Sequence, residues 1–188
     1  MTTKTFVSSE VLTASDTNTY LNGGGLVYVT HYNVATGAGI NSFTISNCFS
    51  STYDNYRIVW SGKMSASQSI RMRFGVPGTT NTGYYSAYFY QSGWASATTF
   101  GTGDNNASAF NYVGGGDTAS ANLSLDILGP NLAQVTTVNG LARVSTSNQG
   151  MFNGILNDTT QYTALYLDGA GNNLVGGQIA IYGYRKGT

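Results

Sequence analysis

Two side chains of the kind that act as a nucleophile or a proton shuttle near neutral pH each occur once, His31 and Cys48. A single cysteine excludes a disulfide within the chain and a cysteine-cluster zinc site. Cys48, between Asn47 and Phe49, reads as a small buried thiol in a strand. The other reading pairs it with His31 as a catalytic thiol, and nothing local supports that pairing. A Ser-His-Asp triad can be drawn from His31 and any of 19 serines, so the match carries no weight, and a Gly-x-Ser-x-Gly elbow is absent. Acids number seven Asp and one Glu, mostly beside Gly or Asn, which suits solvated turns better than paired glycosidase carboxylates. Asp126 differs because it lies in mid-strand, and it is expected to pair with Arg57, Arg71 or Arg73 on an outer face. Asp104-Asn105-Asn106 and the stretch from Asp168 to Asn173 offer oxygen ligands for calcium, without the terminal Glu of an EF-hand loop. Gly37-Ala38-Gly39 and Gly169-Ala170-Gly171 lack the lysine of a phosphate-binding loop and read as turns. We therefore assign no catalytic residue, no metal ligand and no cofactor.

The aromatic residues carry more information. In Tyr84-Tyr85-Ser86-Ala87-Tyr88-Phe89-Tyr90 alternate residues point to opposite faces of a strand. Tyr84, Tyr88 and Tyr90 share one face, and Tyr85 and Phe89 the other. One face can fill a core, and the second then needs its own cover. Three covers remain open: a second layer of the same chain, another subunit, or a sugar stacked on a platform that includes Trp94.

Strands must position these residues. Gly, Thr, Ser and Asn make up 86 of the 188 residues, and charged residues 9%, against about one quarter in average proteins. A helical bundle is excluded by that composition. Disorder is excluded by 41% apolar residues at zero net charge. Without a basic excess, nucleic acid is not an expected partner. No apolar run is long enough to cross a membrane as a helix, and Met1 to Glu10 lacks the apolar segment of a secretory signal. Period-two patterns recur from Leu26 onward. The clearest are Tyr56-Ile58-Trp60, Ile70-Met72-Phe74-Val76 and Leu123-Leu125-Ile127. Gly- and Asn-rich clusters at 77–81, 101–106, 114–117, 129–131 and 168–173 read as the turns between strands. The expected fold is all-β, a single β-sandwich or jelly roll of about ten short antiparallel strands over residues 26–188. Residues 1–25 form an N-terminal arm. Thr13 with Asp16 suggests a capping box and a helix of about two turns, stopped at Gly23-Gly24-Gly25. Its apolar residues Phe6, Val7, Val11, Leu12, Tyr20 and Leu21 have no core of their own.

Three segments carry a resemblance. Residues 11–21, VLTASDTNTYL, resemble a segment near the start of tailed-phage virion proteins. Residues 49–59, FSSTYDNYRIV, resemble the opening strand of small jelly-roll virion proteins of phages, notably cyanophages. Residues 176–184, GGQIAIYGY, look like their last strand. The resemblance implies a structural protein on the outer surface of a phage particle, made in the host cytoplasm and commonly a homotrimer. It implies no catalytic residues. The leading expectation is a capsid cement or decoration protein, with the arm residues Phe6, Val7, Val11, Leu12, Tyr20 and Leu21 on the major capsid protein. The alternative is a tail-fibre or head-fibre module that binds host glycans. Tyr84, Tyr85, Tyr88, Tyr90 and Trp94 are expected to form the subunit interface or, in that alternative, the glycan platform.

Overall fold

The computed structural model describes residues 25–75, 82–92, 99–143 and 148–186. The described chain is all-β and antiparallel, with 63% of its residues in strands and no helix among them. Thirteen strands form one branched sheet. They are β1 (Leu26–Asn33), β2 (Ser42–Ile45), β3 (Asn55–Met64), β4 (Gln68–Phe74), β5 (Tyr84–Ser92), β6 (Thr99–Ala107) and β7 (Phe110–Gly116). Then follow β8 (Ala121–Leu128), β9 (Thr136–Arg143), β10 (Asn148–Leu156), β11 (Leu165–Asp168), β12 (Leu174–Val175) and β13 (Gln178–Tyr184).

The branch point is β8. One edge of β8 pairs along its whole length with β3. Its other edge is shared: Ala121 to Leu123 pair with Gly116 to Gly114 of β7, and Ser124 to Leu128 pair with Leu141 to Thr137 of β9. One arm of the sheet thus runs β1-β13-β3-β8-β9-β10-β5-β6, and the other β7-β4-β11-β2. Glycine permits the divergence at β7. Gly115 sits at φ 145°, and a Cβ there would lie 2.3 Å from the Gln68 carbonyl oxygen.

The two arms close over a common aromatic core, an arrangement consistent with a β-sandwich. Phe110 of β7 meets Tyr84 of β5 edge-on at 4.8 Å, Phe152 of β10 at 5.4 Å and Phe74 of β4 at 6.5 Å. The Phe74 N–H donates to Tyr84 Oη at 2.9 Å, so a hydroxyl brought into the core is satisfied by backbone of the opposite arm. The period-two residues Tyr56, Ile58, Trp60, Ile70, Met72, Phe74, Leu123, Leu125 and Ile127 are all buried, as their alternation predicts.

Several expectations need correction. Residues 101–106 and 114–116 belong to strands β6 and β7 and are not turns. Their Gly, Asn and Asp content hides strand character because pairing with β5, β4 and β8 supplies the order. Cys48 is buried but lies past β2, after a turn with Asn47 at φ 54°. Leu174 and Val175 add the short strand β12. The arm residues Phe6, Val7, Val11, Leu12, Tyr20 and Leu21, the expected helix and Trp94 lie outside the described residues.

Candidate interaction face

The six described carboxylates all have internal partners. Arg57 Nη1 donates to both Asp126 oxygens at 3.0 and 3.1 Å, and Tyr184 Oη donates to Asp126 at 2.6 Å. That is the mid-strand pair expected for Asp126, set directly across the β3–β8 register. It raises the Arg57 guanidinium above its ordinary value, first through Tyr184 and then through Asp126. Asp104 accepts from Ser86 Oγ at 2.6 Å and from the Asn111 backbone at 3.0 Å. Asp117 takes Arg143 at 2.9 Å, Asp54 takes Lys186 at 2.8 Å, and Asp158 accepts from Tyr162 Oη at 2.6 Å. Asp168, nearly fully buried, holds Arg71 Nε at 2.7 Å, with Arg73 Nη2 at 3.8 Å. Its Oδ2 and Arg73 Nε have no hydrogen-bond partner. In the two segments considered for calcium, Asp104 accepts from Ser86 and Asn111, and Asp168 Oδ1 accepts from Arg71; no group of three potential metal ligands occurs among the described residues. Cys48 and His31 do not meet the needs of a thiol-imidazole pair. Burial pushes the thiol up from 9.0 to about 12, while His31 is exposed on β1 and contacts Tyr28 Oη through Nδ1.

What the structure leaves uncovered is one face of the longer arm. The expected parity of β5 holds. Tyr84 and Tyr88 are buried in the core, and Tyr90 packs at its margin, stacked on Tyr88 at 4.9 Å. These two buried tyrosines are not surface groups, so they cannot form the outer platform proposed from sequence. Tyr85 and Phe89 point outward. Phe89 lies opposite Met151 of β10, and Met151 opposite Leu141 of β9. Their exposures are 56%, 57% and 66%, so three large apolar side chains in one cross-strand row face solvent. Two rows along, Tyr85 lies opposite Ile155, which is 40% exposed. The row between is Ala87, Asn153, Asn139 and Asp126, followed by Arg57 and Tyr182. Covering the exposed halves of Phe89, Met151 and Leu141 would contribute about 1 kcal/mol each.

Two shallow depressions flank the apolar row. One of about 330 Å³ is lined by Tyr85, Ala87, Asp104, Asn153 and Ile155. The other, of about 400 Å³, lies between Leu141, Met151, Gln149, Asn122 and Arg143. The outer face of the shorter arm is different: Arg71, Arg73 and Asp168 form its ion pairs, and Arg73 covers the Tyr166 ring at 5.2 Å. Sequence reasoning named Tyr85 in an interface or platform without deciding which face of β5 is outer, and missed Leu141, Met151 and Ile155 on the outer face of the longer arm. Each of those reads as an ordinary strand residue until cross-strand register sets it beside the others. A scan against protein-family models, a search of curated proteins and a search of solved structures each find no match to this chain.

Proposed function

We propose that this chain is a structural protein of a tailed-phage particle, a jelly-roll cement or decoration protein that works as a homotrimer on the capsid. One observation supports the reading most: a broad sheet face with Phe89, Met151 and Leu141 uncovered and its Arg57, Asp126 and Arg143 charges ion-paired within the chain, on a fold whose described carboxylates all have internal partners. Such a face asks for a protein surface, and not for a small charged substrate. The resemblance of residues 49–59 and 176–184 to phage virion proteins points the same way. In this reading the arm, with Phe6, Val7, Val11, Leu12, Tyr20 and Leu21, reaches onto the major capsid protein. The test is to delete residues 2–22 and mix the protein with undecorated capsids. Binding should be lost, and undiminished binding would sink the role of the arm.

A second reading, a fibre module for host glycans, is favoured by the depression beside Tyr85, where an aromatic ring sits among Asn153, Asp104 and Ser86. It requires the isolated protein to adsorb to host cells. Lack of adsorption at micromolar concentration rejects it.

A further inference from the structure

We propose that the depression beside Tyr85 takes an uncharged sugar ring and turns away sugars that carry a carboxylate or a sulfate. The proposal rests on the fibre-module reading and names the class of glycan its site accepts.

The shape of the site comes from the register of β5 and β10. Tyr85 lies opposite Ile155, and Ala87 opposite Asn153. Ala87 carries one methyl and Gly154 no side chain, so the surface dips among Tyr85, Ile155 and Asn153. The dip holds about 330 Å³. That is at the lower end of the roughly 300–1,000 Å³ of small-molecule sites. One small ring fits, and the rest of a glycan runs out over the sheet. Tyr85 and Ile155 form the apolar side. A pyranose presents a flat C–H face that packs on such a ring.

The polar side is an amide and a hydroxyl. Asn153 and Thr137 line the depression and make no side-chain hydrogen bond to a described residue. Both groups donate and accept, and so do the hydroxyls of a sugar.

Charge sets the class. The lining holds one acid, Asp104, and no base. Asp126, Asp117, Asp54 and Asp168 each have an arginine or lysine against them. Asp104 instead accepts from Ser86 Oγ at 2.6 Å, from the Asn111 backbone at 3.0 Å and from the Asn111 side-chain amide. These donors are neutral and fill about three of the roughly four acceptor positions of a carboxylate. Asp104 therefore acts on a ligand through its charge, and Asn153 and Thr137 supply the hydrogen bonds. Along the row of Asn153 the first guanidinium is Arg57, three strands away and held by both oxygens of Asp126. An anionic sugar in the depression meets a like charge with no cation to offset it, whereas an uncharged sugar does not.

The test is binding of the full chain to an array of immobilised glycans, beside adsorption to host cells. The array carries uncharged hexose and N-acetylhexosamine oligomers, amino sugars, and oligomers bearing uronate, sialate or sulfate. Signal should fall on uncharged oligomers. Tyr85→Ala should weaken it about tenfold or more, with near-UV circular dichroism unchanged. Asn153→Arg, at an exposed position, should bring acidic oligomers onto the protein by placing a cation in the site. A chain that binds no glycan and does not adsorb to cells overturns the fibre-module reading and this proposal together. Adsorption to cells without signal on any uncharged oligomer overturns this proposal alone. So does equal or tighter binding of acidic oligomers or amino sugars. Uncharged-glycan binding that neither folded variant alters also overturns it, because the sugar then sits elsewhere.

Discussion

At the residue scale, the lone cysteine, Cys48, is a structural group. A nucleophilic thiol needs a low pKa and access, and Cys48 has neither: burial, the largest cause, pushes it to about 12. A group raised in the folded state stabilises the fold fully below its unfolded value and loses that contribution as pH rises through the folded one. Stability should therefore fall between pH 9 and about 12, with Cys48 accounting for about 4 kcal/mol of the fall. Tyr88, also raised by burial to about 12, joins the loss above pH 10. Denaturant unfolding of Cys48→Ala at several pH values checks this. The variant should lose about 1 kcal/mol at neutral pH and show a shallower alkaline decline. An equally steep decline would remove Cys48 as the cause. The site residues divide at this scale too. Parity alone puts Tyr85 on the face opposite Tyr84 and Tyr88, without deciding which of the two faces is the core. Which face is inside depends on where β4 and β7 lie, and Phe74 and Phe110 are distant in sequence.

At the element scale, the sheet depends on how β7 and β8 share partners. Gly115 pairs with Ser69 on one side and Asn122 on the other, and its positive φ lets β7 turn away from the plane of β9. Gly115→Ala would place a methyl 2.3 Å from a backbone carbonyl that cannot move without breaking the β4–β7 pairing. It should destabilise the fold by about 3 kcal/mol or more, measured by urea unfolding. A loss under about 1 kcal/mol would show that the branch tolerates a side chain. The strands that alternation revealed are those with one apolar side and one polar side, such as β3, β4 and β8. The glycine-rich β6 and β7 gave no such pattern. Tertiary pairing orders them, so local sequence reads as turn.

At the scale of the whole molecule, the proposed trimer would assemble from chains in which only 9% of residues are charged. A contact made through Phe89, Met151 and Leu141 should respond weakly to ionic strength. Raising NaCl from about 0.05 to 1 M should leave the dissociation concentration of the proposed trimer within roughly twofold, read by light scattering on a dilution series. A loss of the trimer over that range would point to ion pairs in place of apolar contact. The all-β class, the neutral surface and the core residues of the best alternating strands follow from the sequence alone, because composition and period-two patterning are local properties. The branch at β8, the strand character of 101–106 and 114–116, and the assembly of Phe89, Met151 and Leu141 into one row were decided by the tertiary structure. Register between strands distant in the chain is a non-local choice, set by which faces can bury together. No single strand carries that information.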